Sequence, residues 1–259
     1  MYPLLTLSPN IQIPTYFVVF TLAYLVGLYF FYLRVVKFEN LSTKTAMDLS
    51  LIIMVFGFLG ARGFHVVYEL PDFYWTYPEE IYKFWHGGFV FYGGFLLAAL
   101  AAVIFLRIKN EPLPLWADLL APVISLAYII GRLGTWVSGS GYGRPTSLPW
   151  GIIYPPGSEA PVGIPLHPTP FYAVICESLT LAWLLYLERN QNTNQGRGVV
   201  FAWFLILHGL GRIVVEQYRD DARGSLLLGF SVSTWISAGL VMVGVGWLIK
   251  TKTSRPKPN

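Results

Sequence analysis

Seven apolar runs alternate with short polar or glycine- and proline-rich joints along this chain. They cover roughly residues 15–36, 46–68, 88–107, 117–137, 169–187, 199–218 and 230–249. Each is close to the ~20 residues that a helix needs to cross hydrocarbon. Backbone polar groups in lipid must be satisfied within their own segment, so the runs predict helices. The pattern predicts an all-α, polytopic membrane protein with about seven transmembrane helices. Composition agrees: 54% of residues are apolar and 12% are charged, against roughly 25% charged in an ordinary soluble domain. Mean hydropathy is +0.53. A length of 259 residues suits one integral membrane domain over 1–259.

Charge orients the chain. With alternate joints assigned to one side, that side holds Arg34, Lys37, Lys44, Arg107, Lys109, Arg189, Arg197, Lys250, Lys252, Arg255 and Lys257. The other holds Lys83, Arg144, Arg219 and Arg223. The positive-inside bias predicts an outer N-terminus and a cytoplasmic C-terminus. The net charge of +4 is mostly this bias, and it points to anionic headgroups rather than nucleic acid. Met1 to Pro14 has no basic n-region and no cleavage signal, so the first run is expected to stay as an anchor. Residues 138–168, rich in Gly and Pro, predict an irregular, mobile cap on the outer side. Residues 188–198 and the basic tail from Thr251 are expected to be flexible. One cysteine, Cys176, excludes an internal disulfide and a thiolate metal cage; a packing role is expected.

Candidate chemistry lies inside the apolar runs. Arg62, Arg132 and Arg212 each neighbour a glycine. A guanidinium stays charged, at a cost of about 2.5–3.5 kcal/mol or more at mid-span. Three such residues suggest a buried anion site, and a lipid phosphate is the common membrane anion. His208, Arg212 and Glu216 recur every fourth residue, with Arg219 beyond, so they share one helical face. An Arg212–Glu216 pair that only locks the bundle is the structural alternative. Tyr128, Arg132, Thr135 and Trp136 share another face. Arg62, His65 and Glu69 share a third, where Arg62 and Glu69 would brace helices. Glu177 is a further carboxylate, a candidate partner for an arginine. His86-Gly87-Gly88 and Tyr92-Gly93-Gly94 place paired glycines beside a polar ring, suited to a cavity lining or to helix packing. His167-Pro168-Thr169 opens the fifth run, as a site residue or a plain helix start. No His/Glu cluster has metal-ligand spacing, and no nucleotide-binding glycine motif is present. No metal or cofactor is expected.

Several motifs, in order, resemble the prolipoprotein diacylglyceryl transferase family. They are Ile13-Pro14-Thr15-Tyr16, Gly60-Ala61-Arg62, His86-Gly87-Gly88 through Gly94, and Gly131-Arg132-Leu133-Gly134. Gly143-Arg144-Pro145-Thr146, His167-Pro168-Thr169 and Gly211-Arg212 through Glu216 follow. The resemblance implies a multi-pass enzyme of the bacterial plasma (inner) membrane. Such an enzyme moves the diacylglyceryl group of phosphatidylglycerol onto the lipobox cysteine of a prolipoprotein signal peptide and releases glycerol 1-phosphate. It implies catalytic roles for Arg132, Arg212 and Tyr92. Substrate contacts are implied for Tyr16, His86, Gly93, Gly94, Thr135, Ser140, His208 and Glu216.

The chain departs from the family pattern at Tyr92, where a histidine is common, and at Thr135, Ser140 and Ala173. The arginines survive while several polar partners are replaced. The alternatives are a divergent paralogue with another acceptor, or a lipid-binding transporter that uses the same arginines without chemistry. Against a transporter stands the lack of an inverted duplication. A tyrosine is a poor base near its ordinary pKa of about 10, so His208 and His86 are alternative proton acceptors, and Tyr92 is expected to orient the lipid.

Overall fold

The computed structural model describes residues 4–8, 11–37, 41–190, 197–220 and 229–253. Strands β1 (Leu4–Ser8) and β2 (Ile11–Pro14) form an antiparallel pair. The helices are α1 (Thr15–Val36), α2 (Thr43–Phe64), α3 (Pro71–Thr76) and α4 (Phe91–Ile108), then α5 (Leu113–Ser138). A two-residue pair, β3 (Ile152–Ile153) with β4 (Pro165–Leu166), precedes α6 (Thr169–Arg189), α7 (Val199–Glu216) and α8 (Val232–Thr253). Among the described residues, seven helices are long and apolar enough to cross a membrane, and all seven expected runs have one. The protein is thus a polytopic helical membrane protein. The second helix continues as a π-helical turn over His65–Glu69.

The chain forms two compact units. One joins Met1–Phe31 to Ala117–Asn259, and the other is Tyr32–Trp116. In the first, α1 meets α5 at glycines. A Cβ on Gly134 would lie 2.6 Å from Val19, and one on Gly27 would sit 3.6 Å from Val123. The two helices are therefore antiparallel. Helix α7 is pressed between α6 and α8: Gly211 faces Cys176, while Gly209 faces the Ser237 carbonyl and Val241. Cys176 fills the packing role expected of it. Ala121, Leu184, Val200, Phe204 and Leu205 form a core linking α5, α6 and α7. Small residues at such crossings let backbones approach where lipid supplies no hydrophobic drive.

Residues 138–168 are irregular, and hydrogen bonds tie them to α6 and to the end of α7. Arg144 N–H donates to the Tyr218 carbonyl (2.9 Å) and His167 N–H to the Arg144 carbonyl (3.0 Å). Thr169 Oγ1 donates to the Gly141 carbonyl (2.5 Å). Tyr154, Ala160 and Leu166 make a small core of the cap's own. Burial of Tyr154 pushes its phenol up to about 12. The C-terminal helix runs further than expected, to Thr253. The expected flexible stretch at 191–196, the tail from 254 with Arg255 and Lys257, and Arg223 lie outside the described residues.

In the second unit α2 packs on α4 through Gly57, Gly60 and Ala61 against Gly93 and Gly94. Val90 N–H donates to the Ala61 carbonyl (2.9 Å), fixing where α4 starts.

Candidate functional site

The arginines of the first unit are held by aromatic and hydroxyl groups. The Arg132 guanidinium lies 4.8 Å from the Tyr128 ring centroid, a cation–π contact one helical turn long. Tyr128 in turn meets His208 edge-on, with centroids 5.0 Å apart. On α7, Arg212 donates through Nη2 to Glu216 Oε2 (3.1 Å) and to Ser233 Oγ (2.5 Å). Ser231 Oγ donates to the other Glu216 oxygen (2.6 Å), and Arg219 Nη1 is 4.0 Å from Oε2. The expected Arg212–Glu216 pair therefore exists. Ser231 and Ser233, at the start of α8, are partners that sequence periodicity on α7 does not reveal.

Arg212 and Arg219 are both within electrostatic reach of Arg132, and among the described residues no carboxylate pairs with Arg132. Glu216 is shared by Arg212 and Arg219. Glu177 is not an arginine partner, which corrects that expectation: its Oε2 lies 2.7 Å from His208 Nδ1. Three donors of this group, Arg212 Nη1, Trp136 Nε1 and Tyr128 Oη, are buried without an acceptor among the described residues. A buried donor without a partner costs about 1–3 kcal/mol, more when charged.

Arg62 differs, and here the sequence expectation of an anion site is corrected. Its guanidinium is spent on main-chain carbonyls of the following loop. Nε donates to Ile81 (3.1 Å), Nη1 to Gly87 and to Gly88 (3.1 Å), and Nη2 to Glu80 (2.6 Å). Lys83 lends a more distant carbonyl at 3.5 Å. Tyr74 covers the guanidinium at 5.3 Å. Gly88 has φ +79°, and a Cβ there would meet His65 at 2.5 Å, so glycine alone fits against this hub. Glu69 pairs with His65 (3.6 Å), not with Arg62. The Lys83 ammonium is hydrogen-bonded to Glu80, which holds its pKa above the ordinary value.

One cleft of about 640 Å³ opens in the first unit between the cap and α6. Its walls are mainly aromatic: Trp150, His167, Phe171, Tyr172 and Tyr218. His167 Nδ1 is 2.9 Å from Tyr172 Oη, and the Trp150 indole donates to the same hydroxyl (2.8 Å). His167 thus knits the cap to α6 besides preceding the helix.

Residues 3–250 match the prolipoprotein diacylglyceryl transferase family. The chain belongs to that family. A curated relative from Cupriavidus metallidurans is 35% identical over 188 residues, 72% of this chain and 68% of its own. One from Bordetella parapertussis is 32% identical over 241 residues, 91% of this chain and 88% of its own. One from Geobacter sulfurreducens is 33% identical over 207 residues, 79% and 77% respectively. All three carry the name phosphatidylglycerol–prolipoprotein diacylglyceryl transferase. Family membership makes the protein a membrane transferase.

Within this family member, the residues singled out from sequence fall into groups. Tyr16, half exposed at the head of α1, lies within electrostatic reach of Arg132. The α1–α5 contact at Val19 and Gly134 explains that placement. Thr135 Oγ1 donates back to the Gly131 carbonyl (3.0 Å), and Ser140 N–H and Oγ both reach the Thr135 carbonyl. Those two hydroxyls finish the end of α5. Gly93 and Gly94 are taken up by helix packing: a Cβ on Gly93 would lie 2.3 Å from Phe64. Tyr92 is partly buried, with Phe91 edge-on at 5.8 Å. His86 is described by its backbone alone, at the end of a 3-10 turn.

Proposed function

We propose that this protein transfers the diacylglyceryl group of phosphatidylglycerol to the lipobox cysteine thiol of prolipoproteins. It works in a bacterial plasma membrane, with its N-terminus outside and its C-terminus in the cytoplasm. The observation that carries the chemistry is Arg212 Nη1, buried without an acceptor among the described residues and within electrostatic reach of Arg132, which pairs with no carboxylate among them.

As the glyceryl C–O bond breaks, negative charge grows on the departing phosphate oxygen. Guanidiniums already fixed in place stabilise that charge without reorganising, and such electrostatic groups are worth about 10²–10³ in rate each. Their planar forks fit phosphate oxygens two at a time. Glu216 and Ser233 hold Arg212 still, and the Tyr128 ring steadies Arg132. The thiolate attacks the glyceryl carbon, the C–S bond forms, and glycerol 1-phosphate leaves with the electron pair of the broken bond.

The thiol proton needs an acceptor. We assign it to His208, because the buried Glu177 carboxylate engages Nδ1 and so leaves Nε2 as the basic nitrogen. Tyr92 keeps the part of a lipid-orienting hydroxyl. The test is purified protein in phosphatidylglycerol vesicles with a lipobox peptide, read by mass spectrometry. The peptide should gain one diacylglyceryl group, and a Cys→Ser peptide should gain none. No adduct on any lipobox peptide from the wild-type protein would overturn the reading. Loss of the alkaline-rising limb of the rate in His208→Gln supports the proton assignment, and an unchanged profile refutes it.

A further inference from the structure

Helix α7 begins without a cap of its own. Gly198 stands at its N-cap, in the left-handed region at φ +95°, and has no side chain to offer the free N–H groups of the first turn. The acceptor comes from another helix. Asp118, near the start of α5, accepts from Gly198 N–H (2.6 Å) and from Phe201 N–H (2.8 Å). A carboxylate at a helix start is favoured by the hydrogen bonds and by the helix dipole together.

The position of this tie sets more than a cap. Asp118 is bonded to Gly198, Tyr128 touches His208, and Arg132 lies within electrostatic reach of Arg212. In these three pairs the partner is 80 residues further on, and Asp118's second partner, Phe201, is 83 on. A constant offset means that α5 and α7 run side by side in the same direction and climb in step. At about 1.5 Å per residue, Tyr128 and His208 are each about 15 Å above the tie, and Arg132 and Arg212 each about 21 Å above it. Slipping α7 by one residue moves Arg212 by about 1.5 Å along the axis and turns it by about 100°. Pro122, one turn past Asp118, cannot donate to the Asp118 carbonyl. Side-chain bonds to α7 therefore bear on a weakened point of the α5 ladder.

We infer that Asp118 is a positioning residue: by tying the start of α7 to α5 it sets the axial register that brings Arg212 level with Arg132. This rests on the reading that those two arginines hold the phosphate. Misplacement of a reacting group by about 1 Å costs as much as 10²-fold in rate.

Three variants separate register from simple capping. In Asp118→Ala, kcat/KM for transfer should fall at least tenfold. Asp118→Glu keeps a carboxylate able to cap α7 but lengthens the tie by one methylene. It should hold thermal stability near wild type while transfer falls at least tenfold. Asp118→Asn keeps one acceptor oxygen and should fall between wild type and Ala in kcat/KM. If Asp118→Ala does not accumulate, the Glu and Asn variants carry the test. Wild-type transfer in Asp118→Ala, or in Asp118→Glu, overturns the inference. Inactivity of the wild-type protein itself would instead sink the underlying function, so the two failures are distinguishable.

Discussion

Arg62 and the Arg132/Arg212 group place the same side chain in apolar helices and use it in opposite ways. Arg62 is buried and its donors are spent on the carbonyls of Glu80, Ile81, Gly87 and Gly88. It is the hub around which the loop after α3 folds. Among the described residues, Arg212 holds one carboxylate and one hydroxyl and keeps Nη1 without a partner, and Arg132 rests on an aromatic face with no carboxylate paired to it. The difference is one of saturation. A guanidinium whose donors all face main-chain oxygen has nothing left for a ligand, while one with spare donors near other cations is ready for an anion. An intramembrane arginine is therefore assigned by its acceptors, not by its depth.

The largest effects test that contrast directly. Arg132→Ala and Arg212→Ala should each lower transfer by about 10²–10³ or more; Arg132→Ala should melt near wild type, and Arg212→Ala should lose some stability with its bonds to Glu216 and Ser233 yet still accumulate. Arg62→Ala should do the reverse. Hydrogen bonds to charged groups are worth about 1.5–3 kcal/mol each, and several go at once, so folded protein should become scarce. What remains folded should transfer at a near-normal rate per molecule. Expression levels, melting curves and specific activities of the three variants decide it. An Arg62→Ala protein that folds normally but is inactive would erase the distinction.

The sequence made the spans and the cation column legible because both are periodic. Apolar runs of span length have one solution in lipid, and residues four apart must share a face. That is why Arg212–Glu216 was readable. Partners from other helices left no trace of that kind. Nothing in the spacing says that Glu177 on α6 takes His208, that Ser231 and Ser233 flank Glu216, or that Asp118 caps α7. The missing cap residue at Gly198 was a usable hint for the last. Arg62 misled because a glycine beside an arginine does not say what the arginine binds. The glycine beside Arg62, Gly63, is as open as Gly131 beside Arg132; what saturates Arg62 is the main-chain oxygen of residues 80–88, a loop whose course the spacing does not show.

The contrast between a packed glycine, Gly93, and an open one, Gly131, gives a prediction of intermediate size. Gly93→Ala forces a methyl to within 2.3 Å of Phe64 and 2.5 Å of the Gly60 carbonyl, and overpacking of this kind typically costs about 1–3 kcal/mol. Gly131→Ala enters open space and should keep stability, even gaining up to about 1 kcal/mol from helix propensity. Both should show in thermal melts in detergent. A Gly93→Ala protein as stable as wild type would mean that the α2–α4 contact relaxes freely. The glycine pair would then be open to a role in lipid contact.

The smallest effect sharpens what a donor without an acceptor means. Tyr154 Oη, like Arg212 Nη1, is buried with no partner among the described residues, yet it is neutral and sits in the small core of the cap. If a lone buried donor were enough to mark a ligand site, Tyr154→Phe would impair transfer. The expectation is full transfer and equal or slightly higher stability, since removing an unpaired hydroxyl relieves its desolvation. The pH dependence carries a sign that can be checked. The folded phenol is pushed up to about 12, above the ordinary value of about 10 in an unfolded chain. Between those values the unfolded chain sheds the proton while the folded one keeps it. Wild-type stability should therefore fall as pH rises past about 10, with no contribution from this group below that. Tyr154→Phe lacks that loss, so its advantage should be small at pH 8 and wider at pH 10.5. Melting curves of both proteins at the two pH values measure the gap. A gap that does not widen would mean that the hydroxyl has a solvent path. Reduced transfer in the Phe variant would extend the functional reading of unsatisfied donors beyond the arginines.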